Sequence, residues 1–179
     1  MSDLKIFISA GADEFAELTG DHRPCAYVAF RTDGKSESCF YGQGHLLDMN
    51  AAMAEGLVAA LTDFFTIDPE SDFGQLHDID IICPGPGFWK RVIQTCEAET
   101  SNPQRARGLD QHDCWKKLAV LAATLELAAP RKPSSPLERG ILKRITEQRK
   151  KLAREAIGKV PRDASGISVS WREDMEPNR

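Results

Sequence analysis

No run of apolar residues approaches the roughly 18 needed to cross a bilayer, and the opening MSDLKIFISAG lacks a signal-peptide pattern. A cytoplasmic protein is the resulting expectation. C-x-x-C spacing is also missing. The five cysteines, Cys25, Cys39, Cys83, Cys96 and Cys114, are odd in number and widely scattered. That pattern favours reduced thiols over a zinc site or a disulfide framework. There is no internal repeat, and no phosphate-loop lysine follows the Pro84-Gly85-Pro86-Gly87 turn. His112-x-Cys114 is too sparse for a metal site. Cys83 has no histidine near it in sequence, so it reads as a core thiol rather than a nucleophile.

What is present suits a globular domain with an appendage. The chain has 179 residues, 41% hydrophobic and 28% charged, enough for a full core. Its net charge of -4 is unevenly spread. Residues 1–130 hold 10 basic and 20 acidic side chains, whereas residues 131–179 hold 13 and 7. A basic appendage on an acidic body implies a polyanionic partner, or docking of that appendage on the body itself.

Periodicity predicts the elements. Leu4–Ile8, Cys25–Arg31 and Ser36–Gln43 read as strands, with Thr32-Asp33-Gly34-Lys35 as a hairpin turn. Residues 10–24 read as a loop. Asn50–Phe65 is an amphipathic helix with Ala54, Leu57, Val58, Leu61, Phe64 and Phe65 on one stripe, capped by Asp48 or Asn50. Ile79–Ile82 is a short strand ended by the Pro-Gly turn, and Phe88–Thr95 a short helix. Thr100–Arg107 is a loop. Gln111–Leu127 is a second strong helix, shading into a last strand near Leu125–Ala129. After the break at Arg131-Lys132-Pro133-Ser134-Ser135-Pro136, residues 137–157 form a long basic helix with a thin stripe of Leu137, Ile141, Ile145 and Leu152. Three parts follow: a core over 1–130, a basic helix over 131–160 packing on or extending it, and a polar tail over 161–179, partly disordered despite Ile167, Val169 and Trp171.

This order, together with KIFISAGA, CAYVAFRTDGKSESCFYGQ, NAAMAEGLVAAL, IDIICPGPGFWKRVI, DCWKKLAVLAA and SPLERGILKRI, resembles the ribonuclease H family over residues 4 to 155. The resemblance implies an α/β fold: a ribonuclease H-like mixed five-stranded sheet flanked by helices, closed by the basic C-terminal helix. It also implies clustered carboxylates that hold two divalent cations, Mg2+ or Mn2+, for cleaving the RNA strand of an RNA/DNA hybrid. Here only Glu55 matches the family's carboxylate positions. The first-strand Asp falls at Ser9 or Ala10, the fourth-strand Asp near Pro84, and the closing-helix Asp around Ile141 or Leu142. Asp13, Glu14, Asp48 and Asp80 are the acids left to substitute, and Asp80 lies about 13 Å along the strand from the expected position.

The expectation is therefore a degenerate domain without a resident metal or other cofactor, binding nucleic acid (RNA/DNA hybrid or duplex) or a partner protein. The alternatives are an active Mg2+- or Mn2+-dependent ribonuclease H, and a protein-interaction or oligomerisation module, for instance a homodimer. Candidate nucleic-acid contacts are Trp89, Lys90 and Arg91 after the Pro-Gly turn, and Lys143, Arg144, Lys150, Lys151 and Arg154 on the basic helix, with Arg149 beside them. For Phe88 and Trp89 the competing reading is core packing. For the basic helix it is a solvated face.

Overall fold

The computed structural model describes residues 4–12, 23–34, 37–46, 49–66, 78–101 and 112–156. Three antiparallel strands come first: β1 (Leu4–Ala12), β2 (Arg23–Thr32) and β3 (Glu37–Leu46). Helix α1 (Met49–Thr66) then leads to β4 (Ile79–Ile82), which pairs parallel with β1. The sheet order is β3-β2-β1-β4. A 3-10 turn (Pro86–Phe88), α2 (Trp89–Ser101), α3 (His112–Thr124) and α4 (Pro136–Ala156) complete the described elements. The strands run longer than alternation alone predicts, into residues 10–12 and 44–46. At the hairpin, Gly34 takes φ 82 and donates its N–H to Thr32 Oγ1 at 3.1 Å.

Alternation along β1 sorts the molecule into two layers. Leu4, Ile6 and Ile8 face a core shared with Ala51, Ala54, Leu57 and Leu61 of α1 and with Trp115 and Leu118 of α3. Phe7 faces the opposite way, packing with Val28, Ile82, Leu142 and Ile145 under α4. The small residues Ala51, Ala52, Ala54, Ala59 and Ala60 on α1 are all buried and let that helix lie close to the sheet. Among the described residues no helix is long and apolar enough to cross a membrane.

Two expectations are corrected. Residues 125–129 form no strand among the described residues, and the five-stranded sheet becomes four strands plus a single parallel bridge between Ile82 and Arg131. Arg131 N–H donates to the Ile81 carbonyl at 2.9 Å, and Cys83 N–H donates to the Arg131 carbonyl at 3.0 Å. The segment before the bridge is used by the end of α3. Glu126 adopts a left-handed φ of 50, with Leu127 N–H bonded to Ala122 O and Glu126 N–H to Ala123 O. That is a Schellman closure, and it consumes the residues that would have paired.

The second correction concerns the start of the α4 stripe. Leu137, assigned to its apolar stripe, is 71% exposed. The buried face is Glu138, Leu142, Ile145, Arg149 and Ala153. These positions repeat at helical spacing and two of them are charged, so the apolar stripe finds Ile145, with Ile141 and Leu152 half-buried against the same core, and passes over the charged positions. The polar tail over 161–179 lies outside the described residues, as do Asp13, Glu14, Asp48 and residues 102–110.

Candidate functional site

Glu55 sits on α1 with its side chain half-buried over β2. Burial raises its carboxyl above the usual carboxylate range, and the Lys117 ammonium of α3 partly offsets this. Across from it, burial and then the charge of Glu55 push the Tyr27 phenol above its ordinary value. Among the described residues, the charge that acts on Glu55 is the Lys117 ammonium, and Glu55 in turn acts on the Tyr27 phenol. Two glycines admit the Tyr27 ring. A Cβ on Gly42 of β3 would stand 2.5 Å from Tyr27 Cε1, and one on Gly56 of α1 would stand 2.9 Å from Tyr27 Cδ2.

A carboxyl whose folded pKa lies above its unfolded value favours folding while protonated, and that contribution is lost as pH rises through the folded value. Glu55→Gln is therefore expected to raise the urea midpoint at pH 7 and to leave it unchanged at pH 3. A lower midpoint at pH 7 would instead mean that the ionised carboxylate stabilises the fold.

The other face of β1 carries a ladder to α4. Lys5 Nζ lies 3.7 Å from Glu138 Oε1, Ser9 Oγ and Thr146 Oγ1 share a hydrogen bond of 3.0 Å, and Arg149 Nη1 donates to the Ala12 carbonyl at 2.6 Å. Thr146 also bonds the Leu142 carbonyl at 2.7 Å. Ser9 is only 2% exposed, and Leu142 is core. The α4 residue facing Ser9 is Thr146, one helical turn beyond the position the resemblance implied. At this rung two hydroxyls meet.

Asp80 is engaged elsewhere. Arg131 Nε and Nη2 donate to its two carboxylate oxygens at 2.9 and 2.5 Å, while Nη1 and Nη2 reach the two Glu138 oxygens at 3.0 and 2.8 Å. Glu138 Oε2 also accepts from Ser134 N–H at 2.7 Å, Ser134 Oγ at 3.0 Å and Ser135 N–H at 3.3 Å. Led by Arg131, these donors hold the Glu138 carboxyl well below the usual carboxylate range and raise Arg131 above its own. Glu138 N–H returns to Ser135 Oγ at 3.1 Å. Ser135-Pro136-Leu137-Glu138 is a capping box with proline at the first helical position, a signal the sequence carries and hydrophobic patterning passes over.

At the end of β4, Pro84 is exposed and Cys83 is buried. Burial pushes the Cys83 thiol up to about 11, partly countered by a backbone bond from Gly85, which suits a core thiol and not a nucleophile. Among the described residues no group of three or more His, Cys, Asp or Glu could hold a metal ion.

Of the candidate nucleic-acid contacts, Trp89 is buried, edge-on to Phe88 at 6.0 Å, so its indole belongs to the core and offers no stacking face. Arg91 lies over the Trp115 ring at 4.8 Å. Lys90 is exposed. On α4, Lys143, Arg144, Lys151 and Arg154 are exposed and Lys150 is half-exposed, with Glu147 and Glu155 the acids among them. Arg149 departs from this set: it is buried and fixed to β1.

No protein-family model and no curated protein matches the sequence. Among solved structures, the prototype foamy virus protease-reverse transcriptase overlays with a TM-score of 0.51 at 12% identity, covering 89% of this chain and 21% of that one. At that identity the likeness concerns fold alone. RNase H1 from the halophilic archaeon Halobacterium salinarum NRC-1 overlays more weakly, with a TM-score of 0.39 at 17% identity over 88% of this chain and 99% of that one. The four-stranded mixed sheet and four described helices are consistent with a ribonuclease H-like fold.

Proposed function

We propose that the chain is a ribonuclease H-like domain that binds nucleic acid, an RNA/DNA hybrid or a duplex, without cleaving it. The observation that carries this reading is the outer face of α4. Lys143, Arg144, Lys151 and Arg154 are exposed along about three helical turns, while the inner face is held to the sheet by Leu142, Ile145 and Arg149. A row of cations on a rigid helix follows a phosphate backbone and gains affinity by releasing counterions.

The non-catalytic part rests on the donor set. A two-metal centre needs several oxygen anions converging on the ions. Among the described residues, Ser9 and Thr146 hold each other, Asp80 is paired with Arg131, and Glu55 lies by Tyr27 and Lys117. That set does not fit Mg2+ or Mn2+, and no resident cofactor is proposed.

Fluorescence anisotropy of a labelled hybrid and a labelled duplex on the full chain tests this reading. Binding should weaken steeply between 50 and 200 mM salt. Neutralising Lys143, Arg144, Lys150 and Lys151 to Gln together should lower affinity more than about tenfold and flatten the salt slope by up to about 3 to 4. Hybrid cleavage with Mg2+ or Mn2+ that Glu55→Gln abolishes would replace the binder with an enzyme. A stable dimer without affinity for either nucleic acid would replace it with an interaction module.

A further inference from the structure

We propose that Ser134 is a phosphorylation site, and that its phosphate takes Arg131 from Glu138 and so loosens the first turn of α4 from the sheet. Among the serines whose side chains are described, Ser9 is buried, Ser38 and Ser135 are half-buried, and Ser134 is exposed. The exposed threonines Thr62 and Thr124 lie within helices, where a kinase cleft cannot take the chain in extended form. Ser134 lies outside helix and strand, with Pro133 before it and Pro136 two residues beyond. Arg131 and Lys132 stand three and two residues ahead, a charge pattern of the sort protein kinases read.

The step is a phosphoryl transfer from a nucleoside triphosphate. Ser134 Oγ bonds to the terminal phosphorus, the bond from that phosphorus to the bridging oxygen breaks, the nucleoside diphosphate leaves, and the hydroxyl proton passes to the kinase base. Its consequence follows from the contacts. Ser134 Oγ now donates to Glu138 Oε2 at 3.0 Å and receives Arg131 Nη1 at 3.3 Å. Esterification removes the donated proton and sets about 1.5 to 2 negative charges beside a carboxylate that is already the focus of the cluster. Lys5 and Arg131 pair with Asp80 and Glu138 in the unmodified node, and Arg139 Nη1 donates to the Ser134 carbonyl at 3.4 Å, so Arg131 and Arg139 are the guanidinium groups nearest the added charge. Arg131 is the group both anions want. A phosphate holds a guanidinium in bidentate fashion at least as well as a carboxylate, and Ser134 carries it to Arg131 without moving the helix. Glu138 is left facing a like charge with its strongest partner gone.

The test uses the full chain, a serine kinase selective for upstream arginine, and ATP with Mg2+. Mass spectrometry should find one phosphate on Ser134, absent in Ser134→Ala. In the phosphorylated chain, amide hydrogen exchange at 138–142 should quicken about tenfold or more, with α1 amides unchanged. The phosphate should also titrate below the value near 6 of a free phosphoserine, and return to it in Arg131→Gln. An unmodified Ser134, unchanged exchange at 138–142, or a phosphate that titrates like the free group would each overturn the proposal.

Discussion

Gly42→Ala is expected to destabilise the domain by about 2–3 kcal/mol, more than an ordinary strand substitution, because a buried ring already fills the space a methyl group needs. Gly42 pairs with Tyr27 across β2 and β3. A Cβ there would lie 2.5 Å from Cε1, 2.7 Å from Cζ and 2.9 Å from the hydroxyl oxygen of Tyr27. The ring has no retreat: it is 3% exposed, and on its other side Gly56 of α1 would itself place a Cβ 2.9 Å from Cδ2. Relief requires moving α1 or β3, and both carry core. Gly56→Ala should cost less. One of its close neighbours is the flexible end of Ile8, and alanine regains about 1 kcal/mol of helix propensity. Urea unfolding of both variants measures this, and a double-mutant cycle with Tyr27→Ala assigns it. In that background the cost of Gly42→Ala should fall to within about 0.5 kcal/mol of zero. If the cost persists without the ring, the slot explanation is wrong.

The same slot shows what sequence reading reaches and where it stops. Strands, the α1 stripe and the break before α4 were legible because each rests on local spacing: alternation in LKIFI, the repeat of Ala54, Leu57 and Leu61, the prolines at 133 and 136. Gly42 and Gly56 were silent because their meaning lies in a third residue, Tyr27, on another strand. The strand expected at 125–129 is not formed among the described residues for a related reason. Apolar content at 125–129 cannot distinguish a strand from the left-handed closure of the helix before it, which is set by Glu126. The α4 stripe of Ile141, Ile145 and Leu152 was legible, but exposed Leu137 does not belong to it and the buried side adds Glu138 and Arg149, charges that only their partners on β1 and at the bridge make tolerable.

The candidate site divides along the same line. Glu55 was found from its place in the element order, and the departures at Ser9 and Pro84 from local text. That Thr146 is the residue opposite Ser9 needed the helix phase. Lys117 needed the packing of α3 on α1. These are long-range facts, and a single chain offers no local signature for them. The capping box at Ser135–Glu138 was available to a reader of helix starts, and with it the buried carboxylate at the root of α4.

That carboxylate supports the last expectation. Glu138→Gln should cost about 2–3 kcal/mol at pH 7, since a neutral amide weakens or loses the charge-assisted bonds from Arg131, Ser134 and Ser135 and leaves Asp80 to hold the guanidinium alone. Glu138 is 7% exposed at the side chain and Arg131 37%, so the guanidinium left behind reaches water, which offsets part of what it gives up. The cost must also depend on pH. A carboxyl held below its unfolded pKa contributes stability that is complete above the unfolded value, near 4.3, and lost as pH falls through that value toward the folded one. The wild-type urea midpoint should therefore fall on acidification below about pH 5, and Glu138→Gln should fall less. The two curves should converge by about pH 2, where the unfolded carboxyl is fully protonated and most of the advantage has gone. Amide exchange locates the effect: at pH 7 the turn at 138–142 should open faster in the variant, while α1 keeps its protection. A difference between the curves that stays constant from pH 7 to 2 would assign Glu138 a packing role. The node would then be a shape that joins α4 to β4 and not an electrostatic hold.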